Sequence, residues 1–326
     1  MKNMSEKEYE NSTAVNYSLL KLLNDHPLKA KNYIDKTYHI ESDSLTWGSL
    51  IDCLLTCPKE LENIFYITEE NKLPKDKMKL WADQVWLLSK ENINFIDDNI
   101  ILEARKIAEY DARLKNDSAI EKFKKEAIPY INILNVAEKK EIITIELLNE
   151  ANSVIEKVKS NKFLIDFFNK RQTDNSIVEF QYCLNFDLNV NNIQTPCKAK
   201  IDQLIINNDM AIIIDYKTCK SIDDFIDSYK KYRYYLQAAM YCEAIKTIKT
   251  IKYITFYFIT INRNGNVLIY NVSQEGLHRA TYGFDEDNNH IKGLYELIED
   301  FNFHKTNDLW DYKREQYKNN GIIEII

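Results

Sequence analysis

Between Lys198 and Lys220 the chain reads KAKIDQLIINNDMAIIIDYKTCK. Two hydrophobic runs flank a turn-prone break, yet the first carries Asp202 and the second ends in Asp215-Tyr216-Lys217. Side chains alternate along a strand, so Asp202 points opposite to Ile201, while Asp215 and Lys217, two apart, share a face. If the runs pair antiparallel through Asn207–Asp209, Asp202 lies beside Asp215. Two carboxylates that close repel unless a divalent cation is shared between them, and an all-oxygen set favours Mg²⁺ or Mn²⁺ over zinc. A lysine beside such a pair can orient or deprotonate the attacking water, a constellation suited to phosphodiester hydrolysis. The alternative is a charged strand end at which Lys217 simply neutralises Asp215, because D-x-K alone carries no function.

The following stretch, YYLQAAMY, has Gln237 and Tyr241 four residues apart, on one helical face. Ala238 and Ala239 are small enough to let that helix approach a sheet. Beside a metal site Gln237 can hold the attacking water or a phosphate oxygen; elsewhere it is an ordinary interhelix residue. Lys220, Lys230, Lys231 and Arg233 surround the expected cleft, with tyrosines interleaved. They suit phosphate contacts, although a solvated helix face accounts for the same residues.

Positioning these groups takes strands preceded by helices. The first half of the chain is helical in pattern. STAVNYSLLKLLNDHP has a capping Ser/Thr, apolar Val15, Leu19, Leu22 and Leu23, and a stop at Pro27. SLTWGSLIDCLLTCP repeats the scheme with Leu45, Leu50, Leu54 and Leu55 as the expected buried face. KMKLWADQVWLLSK and NIILEARKIAEYDARLK are amphipathic, and IELLNEANSVIEKVKSNKFLIDFFN is one long helix or two with a kink. SIVEFQYCLNFDLNV then alternates as a strand, and TPCKAKIDQLIIN and AIIIDYK follow it. DSYKKYRYYLQAAMYCEAIKTI returns to helical period, IKYITFYFITIN and NVLIYNVS pair around Asn264-Gly265, and the remainder reads as helical. The expected class is α/β, one domain over 1–326. Within it 1–170 is mainly helical, 171–275 holds the catalytic sheet and the Gln237 helix, and 276–326 forms C-terminal helices.

With 326 residues, 45% of them hydrophobic, the chain can bury a large core. A net charge of −7 excludes a globally basic nucleic-acid binder, so a nucleic-acid partner needs local patches or metal. The N-terminal MKNMSEKEYENST is polar, and no apolar run approaches the ~18 residues of a membrane span. A cytoplasmic protein without membrane contact is expected. The six cysteines form no C-x-x-C and none follows Cys242, so free thiols are expected and an iron–sulfur cluster is not.

Taken together, KAKIDQLI, AIIIDYKT and YYLQAAMY resemble the PD-(D/E)xK nuclease superfamily, and more narrowly its phage and prophage exonuclease branch of the RecE or exodeoxyribonuclease VIII type. That branch shows a K-x-x-x-D strand, a D-x-K-T strand end and a Y-x-x-Q-A-A-x-Y helix. The pattern covers roughly Glu179 to Tyr241, and YSLLKLLNDHPLKAKNYI with LTWGSLIDCLL is similar to the branch's opening. The resemblance implies a restriction-endonuclease-like core, a mixed sheet flanked by helices. It implies Asp202 and Asp215 as metal-binding acids, Lys217 as the catalytic lysine, Gln237 and Tyr241 as site residues, and Glu179 as a further acid. Where the family has a metal-contacting His after the glycine, this chain has Asp52. Either aspartate keeps the site and shifts it toward Mg²⁺, or the position has lost its role; His26 lies too far upstream to replace it. The implied activity is metal-dependent exonuclease digestion of linear duplex DNA from its ends, 5′ to 3′, with two Mg²⁺ or Mn²⁺ ions. The implied setting is a phage- or prophage-encoded homo-oligomeric ring in a bacterial cytoplasm, with a single-strand-annealing recombinase as partner. The alternatives are a nuclease of the Cas4 or AddB type, which the cysteine pattern opposes, and a catalytically decayed DNA-binding protein on the same fold.

Overall fold

In the computed structural model the described residues are 4–37, 43–69, 73–138, 140–287 and 289–322. Their strands are β1 (Phe65–Thr68), β2 (Glu141–Thr144), β3 (Ile177–Val190), β4 (Ile193–Asn207), β5 (Met210–Thr218), β6 (Tyr253–Ile261), β7 (Val267–Val272), β8 (Phe284–Glu286) and β9 (Asn289–Ile291). The chain divides into two units, Met1–Cys57 with Val154–Ile326, and Pro58–Ser153.

The first unit is built on a five-stranded mixed sheet in the order β3-β4-β5-β6-β7. The turn between β3 and β4 uses Asn191 and Asn192, both left-handed at φ 52° and 63°, a conformation asparagine tolerates. β4 and β5 pair antiparallel down to Asn207↔Met210, closed by Asn208 at φ 53° and Asp209. All of Ala211 to Ile214 is buried, which is why this central run shows no alternation. β5 and β6 are parallel, so the chain between them must cross over. It does so through the helices Phe225–Lys231 and Tyr234–Lys246, which the sequence pattern had joined into one. Arg233, left-handed at φ 56°, separates them. Every residue from Tyr235 to Ile245 is buried, so the second helix is apolar nearly all round.

Other helices depart in detail from the sequence pattern. The Tyr17–Asp25 helix buries Leu19, Leu20, Leu22 and Leu23 and is capped by Asn16, whose Oδ1 accepts from the Leu19 amide at 2.9 Å. In the Asp43–Thr56 helix the buried stripe runs through Trp47, Leu50 and Ile51, at the helical spacing of three and four. Leu45, expected inside, is off that stripe and half exposed. The helical reading of the C-terminal part is interrupted by the β8–β9 hairpin, placed between the helices Gln274–Tyr282 and Leu294–Asn307. Gly283 at φ 89° ends the first of these, and His290 pins the hairpin with Asp285 Oδ1 and Glu296 Oε1, both at 2.8 Å. The long upstream segment is two helices, Ile145–Lys159 and Lys162–Asn169.

The second unit packs the helices Asp76–Leu88, Asp98–Ile107, Asn116–Glu126 and Ile128–Val136 around Trp81, Ile101, Phe123 and Ile131. The short parallel pair β1–β2 also belongs to it, and the sequence pattern did not show it. Among the described residues no helix is long and apolar enough to cross a membrane, and all six cysteines are free.

Lys198, buried on β4, ties the N-terminal segment down. Its Nζ donates to Tyr9 O at 2.6 Å and Ser12 O at 2.7 Å and lies 4.5 Å from the Tyr9 ring centroid. Alongside it, Val15 exchanges backbone hydrogen bonds with Pro196 and Lys198. Lys198→Met keeps the volume and strands two carbonyls. We expect it to cost about 1–3 kcal/mol in urea unfolding and to open residues 4–16 to proteolysis. An unchanged midpoint would mean that water replaces the ammonium at no cost.

Candidate active site

The β4–β5 ladder stops at Gln203↔Ile214, one residue short of Asp202 and Asp215. The two acids therefore face each other where the strands part. The β3–β4 pairing also skips this level: Phe180↔Gln203 and Tyr182↔Ile201 pair, but Gln181 and Asp202 do not. Gln181 is left-handed at φ 49°, which removes its backbone from the ladder. Freed of strand neighbours, Asp202 Oδ2 accepts from the Tyr216 amide at 2.8 Å. Tyr216 is itself held by its hydroxyl, which donates to Gln203 Oε1 at 2.6 Å.

Asp215 is 1% exposed and is gripped from two sides. Gln237 Nε2 donates to its Oδ1 at 2.6 Å, and Lys217 Nζ lies 2.5 Å from its Oδ2 in an ion pair lacking hydrogen-bond alignment. The same Gln237 Nε2 reaches Tyr241 Oη at 3.1 Å, so Gln237 and Tyr241 act as one unit on one helix face. Lys217 Nζ also sits 4.8 Å from the Tyr234 ring centroid, a cation–π contact from the start of that helix.

The Asp43–Thr56 helix brings Asp52 to the same place. Gly48 lets it come close, because a Cβ there would sit 3.3 Å from Thr218 Oγ1, at the end of the D-x-K-T strand. Asp52 accepts from Gln181 Nε2 at 3.3 Å and 3.0 Å through its two oxygens, and Gln181 Nε2 also reaches Thr56 Oγ1 at 2.6 Å.

Three carboxylates in one buried site raise one another's affinity for protons. Burial and then the Asp215 and Asp52 charges push Asp202 well above the usual carboxylate range. Burial and then Asp215 raise Asp52. Asp215 is also raised by burial, against the opposing pull of Lys217 and Gln237. Burial alone would depress Lys217, but the Asp215 and Asp202 carboxylates outweigh it and hold the ammonium charged.

The residues fit a divalent cation in one specific respect. The buried side-chain polar atoms without hydrogen-bond partners include Gln181 Oε1 and Gln237 Oε1. These are neutral acceptor oxygens on the two amides that hold Asp52 and Asp215, and hard cations take such oxygens together with carboxylates. Among the described residues no group of three or more His, Cys, Asp or Glu side chains is arranged to hold a metal ion.

A family model described as "PDDEXK-like domain of unknown function (DUF3799)" matches residues 114–299. The chain belongs to this PDDEXK-like family. A comparison with curated proteins gives no match. Among solved structures, a candidate exonuclease from Eubacterium rectale aligns over 100% of this chain and 96% of its own, with 13% identity and a TM-score of 0.51, a likeness of fold. SSO0001 aligns over 51% of this chain and 63% of its own at 17% identity and a TM-score of 0.28, too distant for any inference. The mixed α/β architecture anticipated from the sequence is that of the PDDEXK-like fold.

Around this PDDEXK-like centre the other anticipated residues fall unevenly. Glu179 is exposed on β3, and the β3 side chain bonded to Asp52 is Gln181, two residues on. Arg233 pairs with Asp25 at 2.6 Å and Lys230 with Glu286 at 3.2 Å, while Lys220 and Lys231 are exposed. His26 caps the Pro27–Ile34 helix, its Nδ1 accepting from the Leu28 amide. Sequence reasoning missed Lys21, which read as the polar position of an amphipathic helix. Burial lowers its pKa, Asp25 opposes this, and the nearby Lys217 and Arg233 charges lower it further, so three cations share this neighbourhood. Gln181 and Thr56 were missed because neither residue type in its local pattern signals a site.

The raised carboxylates carry a stability consequence. A native state that holds protons the unfolded chain has released loses stability as pH rises from about 3.9, the free aspartate value, through the raised native values. Asp202→Asn keeps an acceptor for the Tyr216 amide and removes one charge. In EDTA we expect its Tm to exceed that of the native sequence at pH 8, with the gap closing toward pH 4. A lower Tm at pH 8 would show that the Asp202 charge stabilises the metal-free protein.

Proposed function

We propose that this PDDEXK-like protein is a metal-dependent DNA exonuclease that digests linear duplex DNA from its ends. The observation that carries the reading is the convergence of Asp52, Asp202, Asp215 and Lys217 on one site, with Gln237 and Tyr241 holding Asp215. Asp202, Asp215 and Asp52 would hold Mg²⁺ or Mn²⁺. The cation supplies the positive charge that neutralises them and polarises the scissile phosphate. Lys217 is placed to orient the attacking water and to offset charge growing on the phosphate oxygens. Gln237 keeps Asp215 turned toward the site, and the buried Tyr241 hydroxyl fixes Gln237. Lys21 and Arg233, beside Lys217, are suited to contact substrate phosphates, with the exposed Lys220, Lys230 and Lys231 farther along the same segment.

Duplex ends as substrate and 5′-to-3′ polarity are supported by the resemblance in the D-x-K-T strand and the Q-A-A-x-Y helix. The same resemblance supports a ring-shaped homo-oligomer, a single-strand-annealing partner and a phage or prophage recombination role in a bacterial cytoplasm. The Eubacterium rectale neighbour, described as a candidate exonuclease, is consistent in fold.

The test uses linear duplex DNA labelled at its 5′ or its 3′ ends. Digestion should require Mg²⁺ or Mn²⁺ and stop in EDTA. Lys217→Ala should lower the rate by about 10²–10³, the usual loss when one preorganised donor to a developing charge is removed. Full digestion in EDTA, or by Lys217→Ala, would overturn the mechanism. Release of label from the 3′ end first would reverse the polarity.

A further inference from the structure

Gln181 is out of place as an ordinary strand residue. It sits in the middle of a 14-residue strand, yet its φ of 49° lies where side chains other than those of glycine and asparagine rarely go. Such a conformation persists only where surrounding contacts enforce it, and functional sites are where these cases cluster. The contacts here are the hydrogen bonds of its amide.

The donor and acceptor inventory fixes how that amide is turned. The Thr56 hydroxyl has one proton, and it donates it to Asp52 O at 2.7 Å. Toward Gln181, Thr56 Oγ1 can therefore only accept, so Nε2 faces it at 2.6 Å. The other Nε2 proton goes to the Asp52 carboxylate, which is approached at 3.0 Å and 3.3 Å. Both protons are used, and the Oε1 end is turned away from Asp52 and Thr56. Oε1 is buried and has no hydrogen-bond partner. With Nε2 turned to the Asp52 carboxylate, Oε1 is the end of the amide left without a donor. A buried acceptor without a donor is costly, and a cation can supply the missing partner.

Resting on the nuclease reading above, we propose that Gln181 is a cation ligand of the site. Its Oε1 supplies the neutral oxygen that the acids lack, while its Nε2 holds Asp52 in place. This assigns to Gln181 the β3 position that Glu179 was expected to fill. It also accounts for the break in the β3–β4 pairing at Gln181 and Asp202, since a regular strand would return Gln181 to the ladder.

The test is Mn²⁺ binding by calorimetry on the full chain, with Tm in EDTA as a control. Gln181→Gly removes the amide while glycine accepts φ 49° without strain, so the variant should fold and keep its Tm in EDTA. Its Mn²⁺ affinity should fall at least fivefold, toward the about 10–100-fold that loss of a metal-site partner brings. Gln181→Glu keeps an oxygen and loses the donors, and it should bind Mn²⁺ within fivefold of the native sequence. A loss under fivefold in Gln181→Gly, or equal weakness in the two variants, overturns the ligand assignment while leaving the nuclease reading intact. If the native sequence binds no Mn²⁺, both the reading and the assignment fall.

Discussion

Asp202 and Asp215 are forced together in a place from which water is largely excluded, and the surrounding structure is organised around that repulsion. Strand pairing brings them there: the register that joins Gln203 to Ile214 puts the next residue of each strand face to face. Had the ladder continued, both carboxylates would sit in the closest pairing geometry a sheet allows, where like charges destabilise. Instead it ends, and the freed Tyr216 amide turns to Asp202. Lys217, with Lys200 acting on Asp52, opposes the three acids, yet all three still hold protons more tightly than free aspartate.

Amides as well as lysines hold the acids. Gln237, from a helix buried on every side, donates to Asp215; Gln181, from a broken level of β3, donates to Asp52. Each amide spends its donor end on a carboxylate and leaves a buried oxygen without a donor. A neutral amide clamps an acid without cancelling its charge, so the carboxylate stays available for a cation. An arginine in either place would stabilise the metal-free protein more and would compete with the cation for the same oxygens.

Much of this was legible in the sequence. Asp202, Asp215 and Lys217 follow from period two and one hairpin, and Gln237 with Tyr241 from helical spacing; both rules are local. The Asp52 helix carried a signal of a different kind, a carboxylate in an apolar stretch four residues after a glycine, and Gly48 proves to be where the helix meets Thr218. What could not be read depends on departures from regularity. Gln181 became a site residue because its backbone left the strand, and period two placed Glu179 and Gln181 equally well on one face. Arg233 likewise broke what the pattern joined into a single helix, and Gly283 ended another before the β8–β9 hairpin. The buried stripe on the Asp43–Thr56 helix was misplaced at Leu45 because leucines were counted, whereas Trp47 sets the stripe.

These departures explain why the site lies where β4 and β5 part. A regular strand satisfies its backbone with its neighbours and leaves none of it to hold a side chain. Beyond Gln203↔Ile214 the β4–β5 ladder gives up pairing, and one freed amide, that of Tyr216, passes to a carboxylate. The left-handed residue that breaks the β3–β4 pairing is also the one whose side chain reaches the Asp52 helix. Strain at Gln181, loss of strand pairing and capture of Asp52 are thus one event seen at three levels. A positive charge between the acids would offset its unfavourable part. On the proposed reading that charge is the catalytic cation, which would also supply the partner that the Gln181 and Gln237 oxygens lack.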